Sequence, residues 1–293
     1  METNDYLVRG VAAEGRIRAF AASTKQLIEE IRVRQKNSPI VTDALGRLLT
    51  AGVMMGAMLK EENSILTIKI RGDGPIGGLT VTANAKGEIK GYALNPQPDL
   101  TVQTKGKPDV ASAVGIGVLT VIKDMGLKEP YSGSTILISS EIAEDVAYYF
   151  AHSEQIPSAV GLGVRVQENQ MVDVAGGFIV QVMPGALEEE IAYVESEVAK
   201  VHSITQLLKE GMTPEQILES LLGKLHLEIL EKQNLQFKCE CSREKIEKVL
   251  RQLGKRTLQE MIDEGEMVEV GCDFCNQKYQ YDIETIQKIC DLI

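Results

Sequence analysis

The sequence contains no tryptophan, and aromatic residues make up only 4% of it. Large stacking surfaces for nucleobases are therefore scarce, which counts against single-stranded nucleic acid as a ligand. Long apolar runs are missing too. The most apolar stretch, Pro39 to Leu59, carries Asp43 and Arg47, and two charges in about twenty residues argue against a membrane span. The opening METNDYLVRG has no basic start followed by an apolar core, so no secretory signal is expected. No serine elbow, P-loop or metalloprotease motif occurs, and none of the chemistries those motifs support is expected. The lack of a secretory signal and of a membrane span points to a cytoplasmic protein.

What is present is an acidic chain with uneven charge. The net charge is -11, yet residues 1–184 carry only -2 and residues 232–293 only -2, while the short stretch 185–231 carries -7. Such a chain has no general attraction for a phosphate backbone. Apolar residues at 44% and charged residues at 25% are ordinary for a folded globular chain.

The distribution of pattern suggests three regions. Residues 1–184 read as an α/β domain of the α+β type. Ser38-Pro39 is a helix start, with serine as N-cap and proline in the first turn, and a helix is expected to run to Lys60. Gly52 and Gly56 on it point to close packing against a neighbour. Ile65–Arg71 alternates apolar and polar residues as a strand does. Leu79–Ala83, Gly87–Leu94 and Ile136–Ser139 are further strand candidates, Ala111–Met125 has room for two strands, and Ile142–His152 reads as a helix. Val172–Val182 reads as a strand, with Gly176-Gly177 suggesting a bulge.

Residues 185–231 read as an amphipathic helical linker. Leu187, Ile191, Val194, Val198 and Val201 fall on one helical face and most of the glutamates on the other. Gly211 is expected to stop this helix, and Thr213-Pro214-Glu215-Gln216 opens another with a capping box. Residues 232–293 read as a small α+β domain. Its expected parts are a helix over Ser242–Leu253, a second opened by a capping box at Thr257-Leu258-Gln259-Glu260, short strands at Met267–Val270 and Lys278–Asp282, and a closing helix from Glu284.

The strongest chemical signal lies in this last region. Cys239-Glu240-Cys241 is followed after thirty residues by Cys272-Asp273-Phe274-Cys275. Two close pairs, each on one turn, suit the four tetrahedral ligands of a zinc ion. His152, His202 and His226 lie elsewhere, so one zinc per chain held by Cys239, Cys241, Cys272 and Cys275 is the expected site. A domain of this size is marginal without such a staple. A static clamp and a reactive site both remain open from spacing alone. The C-x-C pair leans toward reactivity, because either pair is close enough to form a local disulfide and zinc-bound sulfur is thiolate. Lys238 and Arg243 flank the first pair and could favour thiolate. Cys290 reads as a small buried apolar residue of the closing helix.

Two other motifs lead nowhere. Gly72-Asp-Gly-Pro-Ile-Gly77 matches a dinucleotide fingerprint in letters, but a strand follows it where a helix N-terminus would be needed. A glycine-rich hairpin turn is expected there. Ser242-Arg-Glu-Lys245 matches S-x-x-K, and N-capping explains its serine.

With Phe237-Lys-Cys-Glu-Cys-Ser-Arg-Glu244, Gly271-Cys-Asp-Phe-Cys275, Arg71-Gly-Asp-Gly-Pro-Ile-Gly-Gly78, Gly91-Tyr-Ala-Leu-Asn-Pro96, Ser153-Glu-Gln-Ile-Pro-Ser158 and Ala175-Gly-Gly-Phe-Ile179 in place, the chain resembles the redox-regulated 33-kDa heat-shock chaperones of bacteria over essentially its whole length. The resemblance implies an ATP-independent holdase that binds unfolding client proteins. Its reduced, zinc-bound form would be inactive. Oxidative stress would form the disulfides Cys239–Cys241 and Cys272–Cys275, release the zinc, unfold the small domain and loosen the linker, with a homodimer as the active form. Cys290 lies outside that motif and leaves open a mixed or intersubunit disulfide. Two other classes remain to be weighed. A zinc-ribbon adaptor could use Lys245, Lys248, Arg251, Lys255 and Arg256, though interspersed acids oppose nucleic acid. A disulfide reductase could use the C-x-x-C pair, but such pairs ordinarily stand at a helix N-terminus.

Overall fold

A computed structural model describes residues 5–99 and 109–293, and the chain divides into two compact units, Met1–Lys238 and Cys239–Ile293. The larger unit runs through β1 (Tyr6–Ala12), β2 (Ile17–Ser23), α1 (Lys25–Gln35), α2 (Pro39–Gly56), β3 (Ile65–Gly72), β4 (Gly78–Asn84), β5 (Glu88–Ala93), α3 (Val110–Val114), β6 (Gly117–Asp124), β7 (Tyr131–Ile136) and α4 (Ala143–Tyr149). It continues through β8 (Ser158–Val166), β9 (Val172–Val182), α5 (Glu188–Val198), α6 (Ile204–Lys209), α7 (Pro214–Leu222), β10 (Glu228–Asn234) and β11 (Gln236–Phe237). The smaller unit holds α8 (Arg243–Gln252), α9 (Lys255–Glu264), β12 (Val268–Gly271), β13 (Lys278–Tyr281) and α10 (Ile283–Asp291). The fold class is mixed α/β, as the pattern of elements predicts.

Two sheets build the larger unit. One is five-stranded and antiparallel in the order β10-β1-β2-β9-β8, and the other runs β11-β5-β4-β3-β6-β7, with β11 parallel to β5. Helix α2 supplies much of the core they share. Ser38 caps it by accepting from Val41 N–H, and Pro39 opens it. Its glycines mark close approaches: a Cβ on Gly46 would lie 2.9 Å from Val164 of β8, and one on Gly52 would lie 2.7 Å from Val81 of β4. Both distances are too short for another residue without repacking, which accounts for the small residues on this helix. The helix ends at Gly56, short of Lys60.

The other face of the five-stranded sheet is covered by α5, α6 and α7. Ile204, Ile217, Leu218, Leu221 and Leu222 pack with Val8, Ala19, Ala21, Phe178 and Val180. Each fully buried leucine or isoleucine here contributes about 1.5–3 kcal/mol, so the apolar stripe has a dock within its own unit. Thr213 and Gln216 form the expected capping box, with Gln216 Oε1 accepting from Thr213 N–H at 2.8 Å and Thr213 Oγ1 from Gln216 N–H at 3.3 Å. The first linker helix is shorter than periodicity suggests. It stops at Val198, α6 follows, and Gly211 with φ +84 comes after α6. Leu187 stays exposed while Glu190 turns inward. Glu190 accepts from Arg16 Nη2 at 2.6 Å and from Leu187 N–H at 2.9 Å, and the guanidinium holds its carboxyl below the usual range.

Several local expectations change. Gly176 and Gly177 lie in regular pairing, and the register shift falls at Arg165/Val166 instead. Their lack of a side chain serves close packing, since a Cβ on Gly177 would lie 2.4 Å from the Gly161 carbonyl oxygen. Ala111–Met125 forms a short helix and one strand, and the strand expected at Ile136–Ser139 lies earlier, at Tyr131–Ile136. The Gly72–Gly77 segment joins β3 to β4 as a turn, with no helix after it. α9 begins at Lys255, after Gly254 with φ +85. Thr257 therefore lies inside the first turn and caps nothing, because the glycine's left-handed backbone starts the helix earlier.

Candidate metal centre

The small unit is built around few apolar groups. Leu250, Leu258, Tyr279, Tyr281, Ile286, Ile289 and Cys290 form its buried cluster. Cys290 is 1% exposed in α10, the apolar role expected for it. Ser242 Oγ caps α8 by accepting from Lys245 N–H at 3.3 Å, which fixes the chain just after Cys241. Cys272 and Cys275 lie in the turn between β12 and β13. Backbone bonds close that turn, from Asn276 N–H to the Cys272 carbonyl at 2.7 Å and from Cys272 N–H to the Gln277 carbonyl at 2.9 Å. Asn276 at φ +58 takes the left-handed position that lets the chain return into β13.

These two segments bring the four predicted sulfurs together. The Sγ atoms of Cys239, Cys241, Cys272 and Cys275 all lie within 4.8 Å of one another, in half-buried positions. Cys239 Sγ is 3.7 Å from Cys272 Sγ and Cys241 Sγ is 3.1 Å from Cys275 Sγ, and all four cysteines are free thiols. A tetrahedral ion with sulfur bonds of about 2.3 Å requires sulfur separations of roughly 3.8 Å. The observed cluster spans that value. The group contains no histidine or carboxylate, so its donor set is four soft sulfurs, which can hold a metal ion.

The sulfurs are not equivalent. Burial raises the Cys239 thiol, and burial together with the hydrogen bond to Cys241 raises Cys275 further. At Cys241 burial works the same way, but hydrogen bonds from Tyr279 and the neighbouring sulfurs outweigh it and bring the thiol down to about 7. Tyr279 Oη donates to Cys241 Sγ at 3.2 Å. That residue is absent from the sequence reading. The signal for it was the alternation of Tyr279 and Tyr281 in a strand starting just after the second cysteine pair, which puts both rings on one face. The cations that sequence proximity suggested are otherwise engaged: Lys238 Nζ lies 2.5 Å from Glu88 Oε1, and Arg243 stacks on the Tyr281 ring at 4.4 Å.

Comparison with known proteins places this cluster in context. The family model described as Hsp33 protein matches residues 5–282. The 33 kDa chaperonin of Lachnoclostridium phytofermentans is 51% identical over 286 residues, covering 98% of each chain. That of Agathobacter rectalis is 49% identical over 286 residues, covering 98% of this chain and 99% of the relative. Among solved structures, the 33 kDa chaperonin of Thermotoga maritima superposes with a TM-score of 0.91 at 35% identity, covering 99% of both chains. No helix among the described residues is long and apolar enough to cross a membrane. A family match over nearly the whole length, with a fold that agrees with it, shows that the chain belongs to the Hsp33 family of chaperones.

Proposed function

We propose that this chaperone is a redox-regulated, ATP-independent holdase of the cytoplasm that binds unfolding client proteins under oxidative stress, and that it is not an enzyme. In the reduced state Cys239, Cys241, Cys272 and Cys275 hold one zinc ion and the protein is inactive. The observation that carries this reading is the convergence of four free sulfurs within 4.8 Å in a unit with a small core. Zinc bound to four thiolates supplies folding free energy and keeps the ligands deprotonated. Thiolates are also what oxidants attack.

Oxidation forms the disulfides Cys239–Cys241 and Cys272–Cys275. All four sulfurs are close enough for several pairings, and these two are the pairings between neighbours in the sequence. Both disulfides remove every ligand, so the zinc leaves and the small unit unfolds. Helices α5–α7 of the acidic segment 185–231 then loosen from the sheet. Their leucines and the covered sheet face, including Phe178 and Val180, become apolar surface of the kind that binds other proteins. The segment's net charge of -7 keeps the loaded chaperone soluble. The active form is a homodimer.

The test is to expose zinc-loaded reduced protein to peroxide at mildly raised temperature and follow released zinc, free thiols and light scattering by an unfolding client. Zinc release with loss of four thiols, and suppression of scattering only afterwards, is the expected result. Equal suppression by the reduced protein, or zinc retained throughout, refutes the switch and leaves a static clamp.

A further inference from the structure

The hydroxyl of Tyr279 has one polar partner, Cys241 Sγ, at 3.2 Å. The ring is 8% exposed and belongs to the buried cluster of the small unit, so the hydroxyl is held in place by packing. Its strand neighbour Tyr281 is buried as well, at 0% exposed, but its hydroxyl donates to the Arg243 carbonyl at 3.2 Å and to no sulfur. Two tyrosines on one face of β13 thus differ in what their hydroxyls reach. No other side-chain hydroxyl donates to any of the four sulfurs among the described residues.

We propose that Tyr279 is a positioning residue of the sulfur centre, whose hydrogen bond to Cys241 draws charge from that sulfur and so raises the amount of oxidant needed to trip the switch. The regulatory half of this proposal rests on the redox-switch reading; the effect on the metal-bound sulfur does not.

The chemistry is that of a thiolate attacking a peroxide. The sulfur lone pair displaces hydroxide from the peroxide, leaving a sulfenic acid. A second thiolate then displaces hydroxide from that sulfur to form the disulfide, and two sulfurs have given two electrons to one peroxide. A proton donated to the lone pair lowers the nucleophilicity of the sulfur in the first step. It also stabilises the thiolate as a ligand. Losing a hydrogen bond to a charged group corresponds to about a tenfold change in rate or affinity at the weaker end of the usual range.

The experiment uses the full-length protein loaded with cobalt(II) or with zinc. In Tyr279→Phe the ring stays and only the hydroxyl leaves. The sulfur-to-cobalt charge-transfer band is expected to move to lower energy, because the lone pair is no longer stabilised by the donor. Zinc binding measured by chelator competition is expected to weaken, and thiol loss in peroxide to speed up by about tenfold. Tyr281→Phe, which removes the hydroxyl of the other buried tyrosine on the same strand, is expected to leave band and rate unchanged. An unmoved band in Tyr279→Phe overturns the proposal, as does an equal acceleration in Tyr281→Phe, which marks the effect as loss of packing. If peroxide leaves the wild-type thiols intact, the redox-switch reading fails and the regulatory half of the proposal with it. The cobalt band still decides whether the hydroxyl acts on the sulfur.

Discussion

Removing the metal from the reduced protein is expected to unfold residues 239–293 and leave the larger unit standing. The magnitude follows from the size of the small unit. Folded domains hold about 0.05–0.15 kcal/mol per residue, which for a unit of this length is roughly 3–8 kcal/mol in all. Structural zinc contributes about 10–16 kcal/mol of apparent binding free energy. The metal term exceeds the whole expected stability, so its loss takes the unit below zero by several kcal/mol. The core is consistent with that dependence, since it consists of Leu250, Leu258, Tyr279, Tyr281, Ile286, Ile289 and Cys290. The larger unit has its own two apolar clusters, centred on α2 and on α7. Amide NMR spectra of the full chain report both units together. With a strong zinc chelator and a thiol reductant present, amides of β12, β13 and α8–α10 are expected to collapse to random-coil positions while those of β2 and β9 stay dispersed. A dispersed small unit after quantitative zinc removal refutes the argument that the metal dominates its stability. Simultaneous collapse of β2 and β9 refutes the separation of the units.

Two further outcomes are expected. Asp5 is 4% exposed, and burial, opposed by hydrogen bonds from the first backbone N–H groups of α1, raises its carboxyl from 3.8 to about 6. The stability this group contributes is fully present below pH ~4 and lost as pH rises through about 6, a change of about 3 kcal/mol at 1.36 kcal/mol per pH unit. Urea unfolding of wild type and Asp5→Asn should therefore diverge by that amount between pH 4 and pH 7, and parallel curves would falsify the assignment. Leu221, fully buried on α7, is expected to cost about 2–5 kcal/mol when changed to alanine. Holding activity in that variant should appear at lower peroxide than in wild type, and an unchanged threshold would detach the helical layer from the switch.

Much of the local structure was legible in the residues. The caps at Ser38, Thr213 and Ser242 are short-range devices, and each appears where a side-chain oxygen can reach an N–H three residues on. Strand β3 alternates because only one of its faces is buried. By contrast, β1 and β2 carry no such pattern. Leu7 faces one apolar cluster and Val8 the other, and a strand covered on both sides loses the alternation that would announce it. β10 was hidden for the opposite reason: it lies at the sheet edge with almost every side chain exposed, so its pairing rests on backbone bonds that composition does not record. Thr257 shows how a local motif can be overruled, because Gly254 starts the helix before it.

The four cysteines, their two close pairs and the need of a small unit for a staple follow from the sequence alone, because ligand type and spacing are local properties. The acidic stretch with its apolar stripe follows from it as well. Only the tertiary structure decided what those features meet. It set the stripe of α5–α7 on the five-stranded sheet, turned Glu190 inward to Arg16, paired Lys238 with Glu88, and placed the Tyr279 hydroxyl on Cys241. Each of these is a contact between side chains that only folding brings together, and a linear pattern records which groups are present but not which distant groups they will face.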